Sequence, residues 1–378
     1  MEDDGSAFVH QSMLTCIGNK RKLVSHIMNV IGQLKGKIGA PLLRTADLFT
    51  GSGVVARALA NISSHVYTND LEPYAHLMSQ CFLHTPTAGD QILIARHIGI
   101  MNRLAREGPF QPGIVSDMYA PADTENVQDG ERCFYTRENA LIIDTLRAYI
   151  DESVHETLRV HCLVPLLIKA SIHANTAGVF KGFYKDERGV GCFGGRGRCA
   201  LGRIMHPIQL RVPVWRSGEN TALATCGLGD ARDFIGQVAE RLDVIYLDPP
   251  YNQHPYGSNY FMLNVIASNT RPEQVSKVSG IPADWQKSAY NQRGRAAAEM
   301  ARLVAACMAK AKYVVISYND EGIITNNEWR GILADYTHDV VEIPYDTFKG
   351  CRNLSGRSNK VMERMFVVGH KGLETVEE

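Results

Sequence analysis

No stretch of this sequence approaches the ~20 consecutive apolar residues that a membrane-spanning helix needs, and no segment is repeated or of low complexity. The acidic opening, MEDDGSAF, has no apolar leader region, so a soluble, intracellular protein with no membrane partner is expected. Net charge is missing too. The 40 basic residues cancel the 40 acidic ones, which excludes a whole-molecule field for nucleic acid and leaves only local patches to supply one. The nine cysteines are scattered, odd in number and never spaced C-x-x-C, which favours reduced thiols in a cytoplasm-like compartment over a disulfide framework. Cys192 and Cys199 lie near His206, but their spacing matches no common zinc site, and no metal is expected.

What is present is an ordinary globular composition, 45% hydrophobic and 21% charged, enough for a sizeable core in 378 residues. Short apolar, β-branched runs alternate with helical patterns, the signature of an α/β fold on a mostly parallel sheet. Strands are predicted near 43–49, 65–69, 222–227, 242–247, 312–317, 339–343 and 364–369, and helices over 20–34, 53–62, 73–83, 138–150, 156–174 and 294–311. About 150 residues separate the second strand from the third, far more than a crossover helix requires. An insertion is therefore expected at 85–216, with 1–84 and 217–378 forming the sheet domain. Its part 90–175 reads as largely helical. Its part 176–216 holds eight glycines and eight Lys or Arg against two acids, a local charge of +6; that composition excludes regular helix and supplies a basic patch.

Residues 246–252, YLDPPYN, follow a run that suits a buried strand, which Pro249 and Pro250 must end. Each proline fixes φ at about −65° and supplies no amide hydrogen. The stiff turn can aim the Asp248 carboxylate, the Pro249 carbonyl and the Tyr251 ring at one small object. ADLFTGSGVVARAL at 46–59 runs from a strand through a glycine turn into a helix, and Gly51 and Gly53 let the backbone approach a ligand closely. Asp70 ends the next strand in VYTND, where an acid commonly accepts hydrogen bonds from ribose hydroxyls. A nucleoside-containing ligand fits. The chain lacks the third glycine of a dinucleotide fingerprint and the G-K-[ST] of a phosphate loop, which disfavours NAD and ATP and leaves S-adenosylmethionine as the natural candidate.

The segments IGNKRKL (17–23), DLFTGSG (47–53), TND (68–70), GDARDF (229–234), LDPPYNQ (247–253), SNY (258–260) and VISYNDEG (315–322), in that order, resemble the alpha group of the Dam-like amino-methyltransferases that methylate adenine in DNA. The resemblance covers nearly the whole chain outside 85–175. It implies a Rossmann-like, S-adenosylmethionine-dependent methyltransferase fold whose seven-stranded, mostly parallel sheet carries a target-recognition insertion. It also implies a catalytic turn of Asp248, Pro249, Pro250 and Tyr251. In the same family-based assignment Asp47, Phe49, Gly51 and Gly53 line the methionine side of the cofactor, Asp70 holds the ribose, Asp230 approaches the adenine ring and Lys20 closes over the cofactor. Asn259 and Tyr260 are expected in the base pocket, and Lys181, Lys185, Arg196 and Arg198 on double-stranded DNA.

The exocyclic amine of adenine is a poor nucleophile, because its lone pair is delocalised into the ring. Accepting its two hydrogens at Asp248 and the Pro249 carbonyl draws the nitrogen toward tetrahedral geometry and turns the lone pair toward the methyl donor. Tyr251 would stack on the extruded base and offset part of the unstacking cost. The alternatives are an RNA (guanine or adenine) or protein-glutamine methyltransferase sharing D-P-P-Y, and a catalytically idle DNA-binding relative. The GNK segment and the basic insertion favour DNA, and cytosine is the weaker target because S-P-P-Y is commoner there. The resemblance implies the modification half of a restriction–modification system or a solitary methylase. Such a protein would be prokaryotic or phage-encoded, cytoplasmic and monomeric, with a cognate restriction endonuclease as candidate partner.

Overall fold

The computed structural model describes residues 4–11, 14, 18, 20–195, 197–216, 222–346 and 360–373. Its seven strands are β1 (Leu43–Asp47), β2 (Ser63–Asp70), β3 (Leu223–Leu228), β4 (Leu242–Leu247), β5 (Ala311–Asn319), β6 (Thr337–Asp346) and β7 (Lys360–Gly369). They form one sheet in the order β3-β2-β1-β4-β5-β7-β6. All pairings are parallel except those of β7, which runs antiparallel to both β5 and β6. This is the Rossmann-like, mostly parallel α/β sheet expected from the sequence, with every expected strand in place.

β4 shows why the sequence folds this way. LDVIYL has no polar alternation: Val244 and Tyr246 enter one hydrophobic core, and Leu242, Ile245 and Leu247 enter the other. A run apolar on both faces suits a central parallel strand. Helices Val24–Ile38, Val54–Ala60 and Pro73–Leu83 cover the first face, and Ala231–Gln237, Arg293–Lys310 and Asn326–Leu333 the second. The strand order reverses between β1 and β4, so the loops leaving their carboxyl ends face each other across a crevice, the usual ligand position in such sheets.

Between helix Pro73–Leu83 and β3 lie helices Ala88–Glu107, Ile114–Met118, Arg137–Ser153, Glu156–His173 and Leu201–Met205. The five-residue Leu201–Met205 corrects the expectation that 176–216 holds no regular helix; one turn that itself contains Gly202 is too short to register as a pattern. The inserted helices share the first core: Ile143, Leu146 and Ile150 lie in the same cluster as Phe261 and Leu263. Arg147, itself buried, donates to the carbonyls of Ile266 (2.9 Å) and Ala267 (3.2 Å) and ties the insertion to helix Phe261–Ser268. Lys20–Leu23 form a turn, and the first long helix starts at Val24 rather than at 20. Among the described residues, no helix is long and apolar enough to cross a membrane.

Candidate active site

The loop leaving β1 is held in shape by the end of β2. Thr50 donates from both its amide (3.2 Å) and its hydroxyl (2.8 Å) to the Asn69 carbonyl. The Gly51 amide donates to Asp70 Oδ2 at 2.8 Å, and the Glu72 amide to Asp70 Oδ1 at 2.9 Å. Gly51 and Gly53 have φ of 52° and 80°, a left-handed backbone that a side chain would strain. No atom lies within 4 Å of where a Gly51 side chain would start, so the loop keeps open space in front of its backbone.

Across the crevice, Asp248 follows β4 and is met by Lys20, whose Nζ lies 2.7 Å from Asp248 Oδ1 and 3.2 Å from Glu363 Oε1. Lys20 and Glu363 are both buried. Burial works against the Lys20 ammonium, but the charges of Asp248 and Glu363 outweigh it and hold its pKa well above the usual lysine value. Burial raises the Asp248 carboxyl, Lys20 lowers it and Glu363 raises it again, with a net result of about 6. Tyr251 sits behind this pair, 5.7 Å from Lys20 Nζ to ring centroid and edge-on to Tyr318 at 6.4 Å.

Between the two loops opens a cavity of about 340 Å³. Of the residues singled out in the sequence, Lys20, Asp47, Phe49, Gly51, Asp70, Asp230, Asp248 and Pro250 line it, whereas Gly53, Pro249 and Tyr251 do not. Its wall is acidic. Burial, and then the charge of Asp248, push Asp47 up to about 8; burial takes Glu72 up to about 7 and also raises Asp70. Buried carboxyls held reluctantly ionised or neutral suit a ligand that brings positive charge, as a sulfonium and an ammonium do. Asp70 spends one lone pair of each oxygen on an amide and keeps others for hydroxyl donors. Phe49 meets Tyr290 edge-on at 5.3 Å near Asp230, an aromatic corner for a flat ring. The wall therefore fits S-adenosylmethionine.

Sequence reasoning missed part of the wall. Glu72 was hidden beside Asp70, and its Oε2 accepts from Asn264 Nδ2 at 2.8 Å. The segment 286–291 before helix Arg293–Lys310 closes the cavity, pinned where Asn291 Nδ2 donates to the Asn252 carbonyl at 2.7 Å. It carries no motif. Glu363 did leave a signal: it is in phase along β7 with Met365 and Val367, which enter the first core, while Arg364 on the other face pairs with Glu342 at 2.9 Å.

Asn259 and Tyr260 are buried, and the cavity wall beside them is Tyr256 and Gly257. Tyr260 stacks on Tyr256 at 5.9 Å and 24°. The Asn259 carbonyl accepts the Phe180 amide at 2.7 Å, which brings the start of the basic segment beside the site. Within that segment Lys185 bridges to Gly191, its Nζ lying 5.3 Å from the Phe183 ring, and Arg188 pairs with Asp186. The Lys181 carbonyl accepts from Ser279 Oγ at 2.5 Å, and Arg198 has φ of 49°. Arg203 has a structural duty: its guanidinium caps the end of helix Glu156–His173 at the carbonyls of Ile172, Ala174 and Thr176. Arg196 lies outside the described residues. Among the described residues, no three His, Cys, Asp or Glu side chains are grouped to hold a metal ion.

The family model of the D12 class N6 adenine-specific DNA methyltransferase matches residues 17–111 and 218–332, more than half of the chain. Type II methyltransferase M.NlaIII of Neisseria lactamica is 26% identical over 360 residues, covering 93% of this chain and 98% of its own. Type II methyltransferase M.CviAII of Paramecium bursaria Chlorella virus 1 is 26% identical over 357 residues, covering 93% and 97%. A solved magnesium protoporphyrin IX methyltransferase from Synechocystis aligns along 92% of this chain and 79% of its own. Its 7% identity and TM-score of 0.31 are too distant to argue from. The family match breaks off at 111 and resumes at 218, leaving most of the insertion outside it.

Proposed function

The chain belongs to the D12 class of N6 adenine-specific DNA methyltransferases, and on that premise we propose how its residues share the transfer of a methyl group from S-adenosylmethionine to the exocyclic amine of an adenine in DNA. When bound, S-adenosylmethionine supplies the electrophilic methyl carbon. Asp70 holds the ribose with the lone pairs that its two amide bonds leave over. Asp47, Phe49 and the backbone at Gly51 face the methionine part, with Gly53 completing the turn, and Asp230 borders the adenine ring beside the Phe49–Tyr290 corner. Lys20 lines the cofactor cavity and also holds Asp248, its ammonium shared between two carboxylates.

The observation that carries the reading is the Asp248 carboxylate. Lys20 engages Oδ1 at 2.7 Å, and Oδ2 is assigned to accept a hydrogen of the adenine amine. The Pro249 carbonyl takes the second hydrogen, Pro250 stiffens the turn and Tyr251 stacks on the flipped base. One amine proton must leave as the methyl arrives, and a carboxyl raised to about 6 is matched to receive it near neutral pH.

Residues 85–216 are the target-recognition insertion. Lys181, Lys185, Arg196 and Arg198 would contact phosphates or base edges, and Tyr260 would buttress Tyr256 at the base side, with Asn259 behind. The likeness to two type II methyltransferases supports a modification enzyme of a restriction–modification system; a cognate endonuclease and a cytoplasmic, monomeric state complete the reading. The test is to incubate the protein with unmethylated genomic DNA and S-adenosylmethionine and to map modified bases by single-molecule sequencing. N6-methyladenine confined to one short motif is the expected result. Methylation of RNA or protein with none of DNA would overturn it.

A further inference from the structure

We propose that Glu363 is a positioning residue for methyl transfer: by sharing the Lys20 ammonium it restricts that cation to one oxygen of Asp248 and leaves the three-residue cluster with one net negative charge facing the reacting amine. The inference deepens the proposed function and rests on Asp248 meeting the adenine amine.

The geometry is unusual enough to need a reason. Glu363 lies in the middle of the C-terminal hairpin, on a strand paired on both sides, opposite Asn319 of β5 and Ile343 of β6. It is 3% exposed and shares its sheet face with Met365 and Val367. A carboxylate there is costly, and its Oε1 makes no hydrogen bond. Its compensation is the 3.2 Å ion contact with Lys20, which is only 2.7 Å from Asp248. Two buried anions thus divide one cation. Were Glu363 neutral, Lys20 and Asp248 would form a closed pair with no net charge, and the ammonium would be free to settle across both carboxylate oxygens. Asp248 would then be the poorer acceptor for an amine whose nitrogen gains positive charge as the new bond forms.

The other groups facing Asp248 are Asp47 from the end of β1, Tyr246 from β4 and Lys20 itself; Tyr251 and Tyr246 face Lys20. Glu363 acts on Asp248 in the opposite direction to Lys20, so the two variants are predicted to differ in sign. Glu363→Gln is expected to slow single-turnover methyl transfer to genomic DNA by about tenfold or more, the scale of losing a buried charged contact. It should shift the acid limb of the rate to lower pH and leave the cofactor dissociation constant, measured by calorimetry, within about threefold. Lys20→Gln should move the same limb to higher pH. A Glu363→Gln enzyme that binds cofactor and reacts with an unmoved limb and an unchanged rate would overturn the inference. Should that variant fail to bind cofactor, an unmoved limb in Lys20→Gln would overturn it. If the unaltered protein transfers no methyl group to DNA, both the inference and the reading beneath it fall; transfer by the wild type with indifferent variants removes the inference alone.

Discussion

The acidic wall makes a quantitative prediction for the protein without ligand. Asp47 is pushed up to about 8, by burial first and by the charge of Asp248 second. In the unfolded chain it titrates near the ordinary aspartate value of about 4. Between those limits the folded protein holds a proton that the unfolded chain has released. The stability this provides is therefore fully present below about pH 4 and is lost as the pH rises through 8. From pH 6.5 to 8 the loss due to Asp47 integrates to about 1.6 kcal/mol. Buried His161 and His173, whose pKa values burial lowers, titrate toward the bottom of this window with the opposite sign. They are present in both wild type and Asp47→Asn, so they cancel in the difference. The assay is urea unfolding of both proteins at the two pH values. Asp47→Asn is expected to gain about 1–2 kcal/mol on the wild type between them. A difference that does not change with pH would refute the raised pKa of Asp47 and, with it, the account of an acidic cavity waiting for a cation.

Asp248→Ala should abolish methyl transfer while leaving cofactor affinity nearly intact, checked by turnover beside calorimetry, because its engaged oxygen meets Lys20 and not the glycine loop. Asp70→Ala should do the reverse and also lower thermal stability: it removes a ribose acceptor and strands the amides of Gly51 and Glu72, for about 1–3 kcal/mol in cofactor affinity. Gly257→Ala places a methyl 2.5 Å from the main-chain oxygen of Gln286 and 3.0 Å from Glu72 Oε1. It must displace the closing segment, so affinity or melting temperature should fall by the equivalent of about 1–3 kcal/mol. Alanine at Lys181, Lys185 or Arg198 should lower the salt dependence of DNA binding by about one unit of slope if that residue meets a phosphate, or relax site preference if it reads a base. Three variants indistinguishable from wild type would move the DNA contact elsewhere on the insertion.

The strands were legible where they hold short β-branched or apolar runs, as VIYL in β4 and YVVIS in β5. Asp70 and Gly51 were legible for a local reason, since each ends or leaves a strand at a fixed offset in an α/β unit. Helices such as Ala231–Gln237 and Asn326–Leu333 were not, because one or two turns give too few periods to count. The ion cluster was out of reach for another reason. The motifs assign Lys20 to the cofactor and Glu363 to nothing, and only the sheet order brings the N-terminal turn, β4 and β7 together. Two packing roles carry no local signal: Tyr260 stacks on Tyr256, and Arg203 in the basic segment closes a helix.

Residues 112–216 of the insertion lie outside the family match, yet the insertion is packed into the sheet domain. Helix Glu156–His173 packs on helix Pro73–Leu83, Trp215 Nε1 donates to the Cys81 carbonyl at 2.9 Å, and further ties reach 259–280. Arg147 holds the end of helix Phe261–Ser268, Tyr119 Oη donates to the Gly280 carbonyl at 2.9 Å, and Arg132 reaches the carbonyls of Ser276 and Val278 at 3.3 and 3.2 Å. Phe180 is tied to Asn259 directly after the catalytic turn. The same stretch of chain continues into Gln286, whose backbone lies against Gly257 and closes the cofactor cavity. These contacts are buried or paired at several points. Displacing the inserted helices would therefore also disturb 256–286, the segment that reaches the cavity wall.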